Sequence, residues 1–143
     1  NGDTEVLLYA YIRWGTAMLQ KLNGFFAFAI YDSQEESLFI ARDRMGIKPL
    51  LVYQDEEKLI FGSEMKIILE SDISKQINKK ALHHFFLYGY MPRKESILEN
   101  TFKVEPGTYM FYDLVTNKKK IKTYWKQPKI TQSTCSLTTT PLT

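Results

Sequence analysis

The segment Phe25-Phe26-Ala27-Phe28-Ala29-Ile30-Tyr31 constrains this chain more than any other part of it. Strand side chains alternate between faces, so Phe25, Ala27, Ala29 and Tyr31 share one face and Phe26, Phe28 and Ile30 the other. Both faces are apolar. A half-wet strand would alternate apolar with polar, so this one is expected between two covering layers. Asn23-Gly24 before it and Asp32-Ser33 after it are turn signals. Ser37 to Ala41 reads as a second strand, antiparallel to the first because the connection is short. Leu50 to Tyr53 and Leu59 to Phe61 form a further hairpin around Asp55-Glu56-Glu57, and Pro106-Gly107 launches a strand from Thr108 to Tyr112. Lys122 to Trp125 is a candidate partner for that last strand.

Helical signals flank these strands. Asp3-Thr4-Glu5 offers N-cap oxygens and first-turn negative charge, and Leu7, Ala10, Tyr11 and Trp14 recur at helical spacing. Gly15 stops that helix, and Thr16 is read as the cap of a short second one through Met18, Leu19 and Leu22. Ser63 is read as capping a helix through Ile67, Ile68 and Leu69. Ala81 to Tyr88 reads as a helix with Leu82, Phe85 and Phe86 on one side. Two-sided strands with helices around them predict an α+β fold, antiparallel sheets covered by helices on both faces.

The chain has 143 residues, 44% of them hydrophobic and 14% aromatic, with a formal net charge of +3, which excludes disorder for most of its length. No apolar run approaches the roughly 20 residues of a membrane helix, so no membrane partner is expected. Cys135 is the single cysteine; no intrachain disulfide can form, which fits a reducing compartment, and no basic neighbour activates its thiol. Ser and Thr dominate Thr131 to Thr143, and residues 126–143 read as a linker or disordered tail. Because the chain opens without Met directly into a helix start, it reads as the interior of a longer sequence.

Few residues announce chemistry. Arg42, Asp43, Arg44 and Lys48 are the densest polar cluster; an internal ion-pair network that fixes a loop is a more economical reading than an anion site. For Asp3, capping is the simplest local role. His83 and His84 diverge by about 100° on a helix and do not share a metal, so one buried and one exposed ring is expected. Lys118, Lys119, Lys120 and Lys122 beside Tyr124 and Trp125 suggest nucleic acid at first sight. The small net charge argues against it, and a lysine-defended strand edge explains the run. No glycine-rich phosphate loop is present.

The succession of segments carries more. Gly2-Asp3-Thr4-Glu5-Val6, Leu22-Asn23-Gly24-Phe25 through Asp32, Ala41-Arg42-Asp43-Arg44-Met45-Gly46-Ile47-Lys48-Pro49-Leu50 and Phe61-Gly62-Ser63-Glu64-Met65-Lys66 follow at short intervals. Tyr90-Met91-Pro92 and Val104-Glu105-Pro106-Gly107 come after them. This order resembles the glutaminase domain of glutamine-dependent asparagine synthetases, the class II amidotransferases, over roughly Gly2 to Trp125.

The resemblance implies a partial αββα N-terminal-nucleophile hydrolase sandwich in residues 1–125, the C-terminal part of the glutaminase domain. It also implies a mechanism. An N-terminal cysteine, its own α-amino group acting as base, attacks the glutamine carboxamide; a thioester forms and ammonia leaves past an oxyanion hole. Ammonia then travels a tunnel to a synthetase domain where Mg-ATP has activated aspartate. Carried onto this chain, Asp3 becomes the carboxylate that binds the α-ammonium of glutamine. Phe25 becomes a tunnel wall, and Arg42, Asp43, Arg44, Gly46 and Lys48 become a structural signature. The nucleophile and oxyanion segment are not matched here, so no catalytic residue is assigned and the segment is expected to be inactive alone. No cofactor is expected in it; Mg-ATP and aspartate belong to a synthetase domain. A cytoplasmic enzyme, homodimeric at full length, is the expected setting. Alternatives are a class II amidotransferase with another acceptor, or a non-catalytic binding module of the same fold.

Overall fold

A computed structural model describes residues 2–92 and 94–128. The expected tail beyond residue 128, with Cys135, lies outside the described residues.

Helix α1 (Asp3–Trp14) leads through a 3-10 turn, Gly15–Ala17, into α2 (Met18–Lys21). Strands β1 (Ala27–Asp32) and β2 (Ser37–Arg42) form the expected hairpin, followed by β3 (Leu51–Gln54), β4 (Leu59–Gly62) and α3 (Met65–Leu69). Then come α4 (Lys79–Tyr88), β5 (Thr101–Lys103), β6 (Thr108–Asp113) and β7 (Lys118–Thr123). All strand pairs are antiparallel, in one sheet ordered β1-β2-β6-β7 and another ordered β4-β3-β5.

The apolar residues sort these elements into layers. Phe39, Ala41 and Tyr109 of the first sheet bury against Ala10, Met18 and Leu19, so α1 and α2 cover that face. The opposite face, through Ile40 and Met110, packs on Leu50, Val52 and Val104, which brings the two sheets together. Beyond the second sheet, Leu51 and Tyr53 meet Ile68 of α3 and Leu98. Phe39 is the hub of the first layer: it stacks on Tyr11 with ring centroids 5.1 Å apart and meets Tyr109 edge-on at 5.5 Å, both favourable aromatic geometries.

Several local expectations are corrected. The first strand starts at Ala27, leaving Phe25 in the preceding coil, and only one of its faces is well covered. Phe28 and Ile30 pack on the helical layer and Ala27 on the core between the sheets, but Ala29 and Tyr31, further along that second face, are exposed. Asp3 does not cap α1; it is the first helical residue, and Gly2 holds the cap position without a side-chain bond. Thr16 and Ser63 do not cap either, since α2 and α3 begin after Ala17 and Glu64 with no side-chain cap bond.

Helix α4 starts earlier than expected, because the Asn78 side chain accepts from the Ala81 N–H, and Gly89 in the left-handed region ends it. Its inward side is Ala81 with half-buried His84, while Phe86 is 78% exposed and Phe85 also faces outward. Strand β7 begins at Lys118, so the lysine run is itself the exposed edge of the sheet. Lysines at an edge oppose pairing with another chain. Strand β5, three residues long, gives no sequence signal of its own.

Candidate functional site

The end of β2 leads into a loop held by six side-chain-to-backbone hydrogen bonds of Arg42 and Asp43. Arg42 points its guanidinium back over the loop and donates to three backbone carbonyls: Nε to Lys48 at 2.7 Å, Nη1 to Val104 at 2.6 Å and Nη2 to Gly46 at 2.7 Å. Asp43, only 1% exposed, accepts from the backbone N–H groups of Met45, Ile47 and Lys48 at 3.0–3.1 Å. Burial alone would push the Asp43 carboxyl up. The hydrogen bonds from Lys48, Ile47, Met45 and Gly46 together outweigh it and hold the carboxyl below the usual carboxylate range. Burial also lowers the Arg42 guanidinium from its ordinary value, partly offset by the adjacent Asp43 charge.

Gly46 has φ +67°, and a Cβ there would meet Pro106 Cγ at 2.6 Å, so only glycine lets the two loops close on each other. The Tyr124 hydroxyl donates to the Arg42 carbonyl at 2.8 Å, and burial followed by the Asp43 charge pushes its pKa up to about 12. The expected ion-pair network is corrected on this geometry. Among the described residues no ion pair joins Arg42, Asp43, Arg44 and Lys48; side-chain-to-backbone hydrogen bonds fix the loop instead. Lys48 contributes its backbone N–H and carbonyl, and its side chain is exposed. Arg42 and Asp43 are thus turned inward and satisfied by backbone, whereas the Lys48 side chain is exposed and Arg44 Nε is buried without a hydrogen-bond partner.

Asp3 stands apart from that loop. It is exposed at the first turn of α1, where the Gly2 carbonyl accepts from Glu5 and Val6 at 3.1 and 3.3 Å. A carboxylate in that place sits in the favourable field of the helix N-terminus and remains open to a cationic group of a ligand. Phe25 is 65% exposed in the coil between α2 and β1. Neither Asp3 nor Phe25 shares a hydrogen bond with the Arg42–Lys48 loop among the described residues.

The two histidines diverge as expected: His84 is half-buried with Nδ1 2.7 Å from Glu95 Oε2, and His83 is exposed. Among the described residues no group of three or more His, Cys, Asp or Glu is placed to hold a metal, and no helix is long and apolar enough to cross a membrane. The sequence reading missed Val104, Pro106, Gly107 and Tyr124 as partners of the loop. They lie some 60 to 80 residues away along the chain, and no local pattern reports such contacts.

The folded chain is thus an α+β domain with two antiparallel sheets between helices, a self-satisfied Arg-Asp loop and an exposed carboxylate opening its first helix. The family described as glutamine amidotransferase domain matches residues 1–125. A Methanocaldococcus jannaschii protein whose name places it among glutamine-hydrolyzing asparagine synthetases is 38% identical over 129 residues, 88% of this chain and 25% of that protein. Asparagine synthetase (glutamine-hydrolyzing) 3 of Bacillus subtilis is 43% identical over 88 residues, 61% of this chain and 14% of that protein. A Gibberella zeae protein named amidase chry2 is 29% identical over 77% of this chain and 16% of its own length. This chain belongs to the glutamine amidotransferase domain family. It spans a quarter or less of the length of these curated relatives.

Proposed function

We propose that the chain is the C-terminal part of the glutaminase domain of a glutamine-dependent asparagine synthetase, with the partial αββα N-terminal-nucleophile sandwich of that class. The observation that carries this reading is the family match over residues 1–125, with relatives named as glutamine-hydrolyzing asparagine synthetases. The helix–sheet–sheet–helix order of its cores supports the sandwich.

In this reading glutamine is the substrate, and Asp3 holds its α-ammonium ion at the start of α1. Phe25 lines the route by which ammonia leaves, and its exposure is consistent with a wall completed by other parts of the enzyme. The loop of Arg42, Asp43, Arg44, Gly46 and Lys48 keeps the sheet end rigid. Glutamine hydrolysis needs a nucleophilic cysteine that no residue described here supplies, so the segment by itself does not release ammonia. ATP, magnesium and aspartate act in a synthetase domain; the described residues contain no phosphate-cradling glycine loop and take no part in that step. The enzyme is cytoplasmic and homodimeric in this proposal.

In a second reading the same glutaminase serves an acceptor other than aspartate, since one relative, amidase chry2, does not bear the name of an asparagine synthetase. The experiment is an assay of the full-length enzyme with ATP, aspartate and either glutamine or ammonia. Asparagine formed from both nitrogen sources supports the first reading. Glutamine hydrolysis stimulated by a different acceptor supports the second, and binding of glutamine without hydrolysis supports a non-catalytic module.

A further inference from the structure

The family match ends at Trp125, and the chain reaches that residue through an unusual junction. The Gly107 carbonyl accepts from the N–H groups of both Tyr124 and Trp125, at 2.9 and 3.1 Å. Gly107 itself donates to the Asp43 carbonyl at 2.9 Å. A Cβ on Gly107 would lie 2.5 Å from the Trp125 carbonyl oxygen, so the departing chain rests directly on this glycine. On the other side, the Gln20 side-chain amide donates to the Tyr124 carbonyl at 2.6 Å across 104 positions of sequence. The Gln20 backbone carbonyl in turn accepts from Arg44 Nη2 at 3.1 Å.

Gln20 belongs to α2, and only the 3-10 turn separates α2 from α1, the helix that opens with Asp3. The Gln20 side chain therefore adds a directional hydrogen bond to the packing that Tyr124 makes on the core of the helical layer, at the point where the chain leaves the matched region. We propose that Gln20 is a positioning residue: it fixes the direction of the chain after Tyr124 relative to the helical layer that begins at Asp3, and thereby seats the glutaminase domain against the domain that consumes its ammonia. The inference rests on the function proposed above.

Two features separate this role from ordinary packing. Gln20 is exposed, and α2 is anchored in the core by Met18 and Leu19, so removing the amide leaves the core untouched. The Tyr124 hydroxyl and the Gly107 contacts fix where Tyr124 sits; the Trp125 N–H on Gly107 and the Tyr124 carbonyl under Gln20 then hold the peptide that leads onward from both of its ends. Free ammonia escapes wherever the route between two domains opens. Loosened seating is thus expected to waste ammonia without slowing its release.

The test uses the full-length enzyme. Gln20→Glu is nearly isosteric but cannot donate to the Tyr124 carbonyl, whereas the ammonium of Gln20→Lys can. The expected result for Gln20→Glu is unchanged glutamine hydrolysis, unchanged ammonia-dependent synthesis, and about two-fold or greater loss of amide product per glutamine hydrolysed. Gln20→Lys restores the ratio. Hydrogen exchange at the Trp125 amide, expected to quicken about ten-fold in Gln20→Glu alone, reads the junction without reference to activity. An unchanged ratio in an active enzyme overturns the positioning role, and so does unchanged exchange at Trp125. A wild-type enzyme that forms no product from glutamine overturns the functional reading, and the seating role with it.

Discussion

The Arg42–Lys48 loop and the start of α1 are both marked by acidic residues, and they use them in opposite ways. Asp43 is buried and spends both carboxylate oxygens on backbone N–H groups, while Asp3 is exposed with Gly2, not its own side chain, in the cap position. A carboxylate satisfied by its own loop stabilises the fold and has nothing left for a ligand. One left open at a helix start contributes little to stability and remains available for recognition. The difference teaches that a carboxylate committed to the fold and one left open to solvent are told apart by where their hydrogen bonds end.

The sharpest way to break the comparison is Arg42→Ala, which leaves the carbonyls of Lys48, Val104 and Gly46 without their donor. The expected loss is about 4 kcal/mol in the unfolding free energy, read from denaturant midpoints. Arg42→Lys should recover less than half, since an ammonium does not reproduce the planar fork. Gly107→Ala comes next, at about 2–3 kcal/mol, because φ is +65° and the new Cβ would collide with the Trp125 carbonyl. Asp43→Asn is expected to cost about 2 kcal/mol, as the Oδ2 acceptor is exchanged for a donor facing the Lys48 N–H.

Asp43 also predicts a pH dependence. Its folded-state carboxyl lies below the usual value, so its stabilisation is fully present above pH about 4 and lost as pH falls through the folded-state value. Unfolding midpoints of the wild type should drop along that acid limb, and Asp43→Asn should flatten it. Asp3→Ala stands at the small end for stability, within about 0.5 kcal/mol, although its functional effect is the largest predicted here.

Where a residue's partners are its sequence neighbours, the fold was legible. The β1–β2 hairpin, the β3–β4 hairpin and the lysine edge follow from alternation and turn chemistry. Alternation did not reveal that β1 borders its sheet, because the same residues suit a central strand. The face of α4 was misread for a related reason: Phe85 and Phe86 are more apolar than His84, but the Glu95 carboxylate gives the histidine a partner on the inner side. At the candidate site, the polar cluster Arg42 to Lys48 was legible, but the ion pairs expected in it are replaced by hydrogen bonds to backbone. Its partners Val104, Pro106 and Tyr124, like the Gln20 link to Tyr124, become neighbours only through tertiary folding. Asp3 was legible as a carboxylate at a helix start, and the recognition role proposed for it comes from family resemblance alone.

The most direct measurement compares Asp3→Ala with wild type in the full-length enzyme, using glutamine and ammonia in turn as the nitrogen source. Losing capture of the α-ammonium ion is expected to raise the KM for glutamine by about a hundred-fold while ammonia-dependent synthesis stays within about two-fold of wild type. Equal losses with both nitrogen sources, or an unchanged KM for glutamine, would contradict the assignment of Asp3 to the substrate.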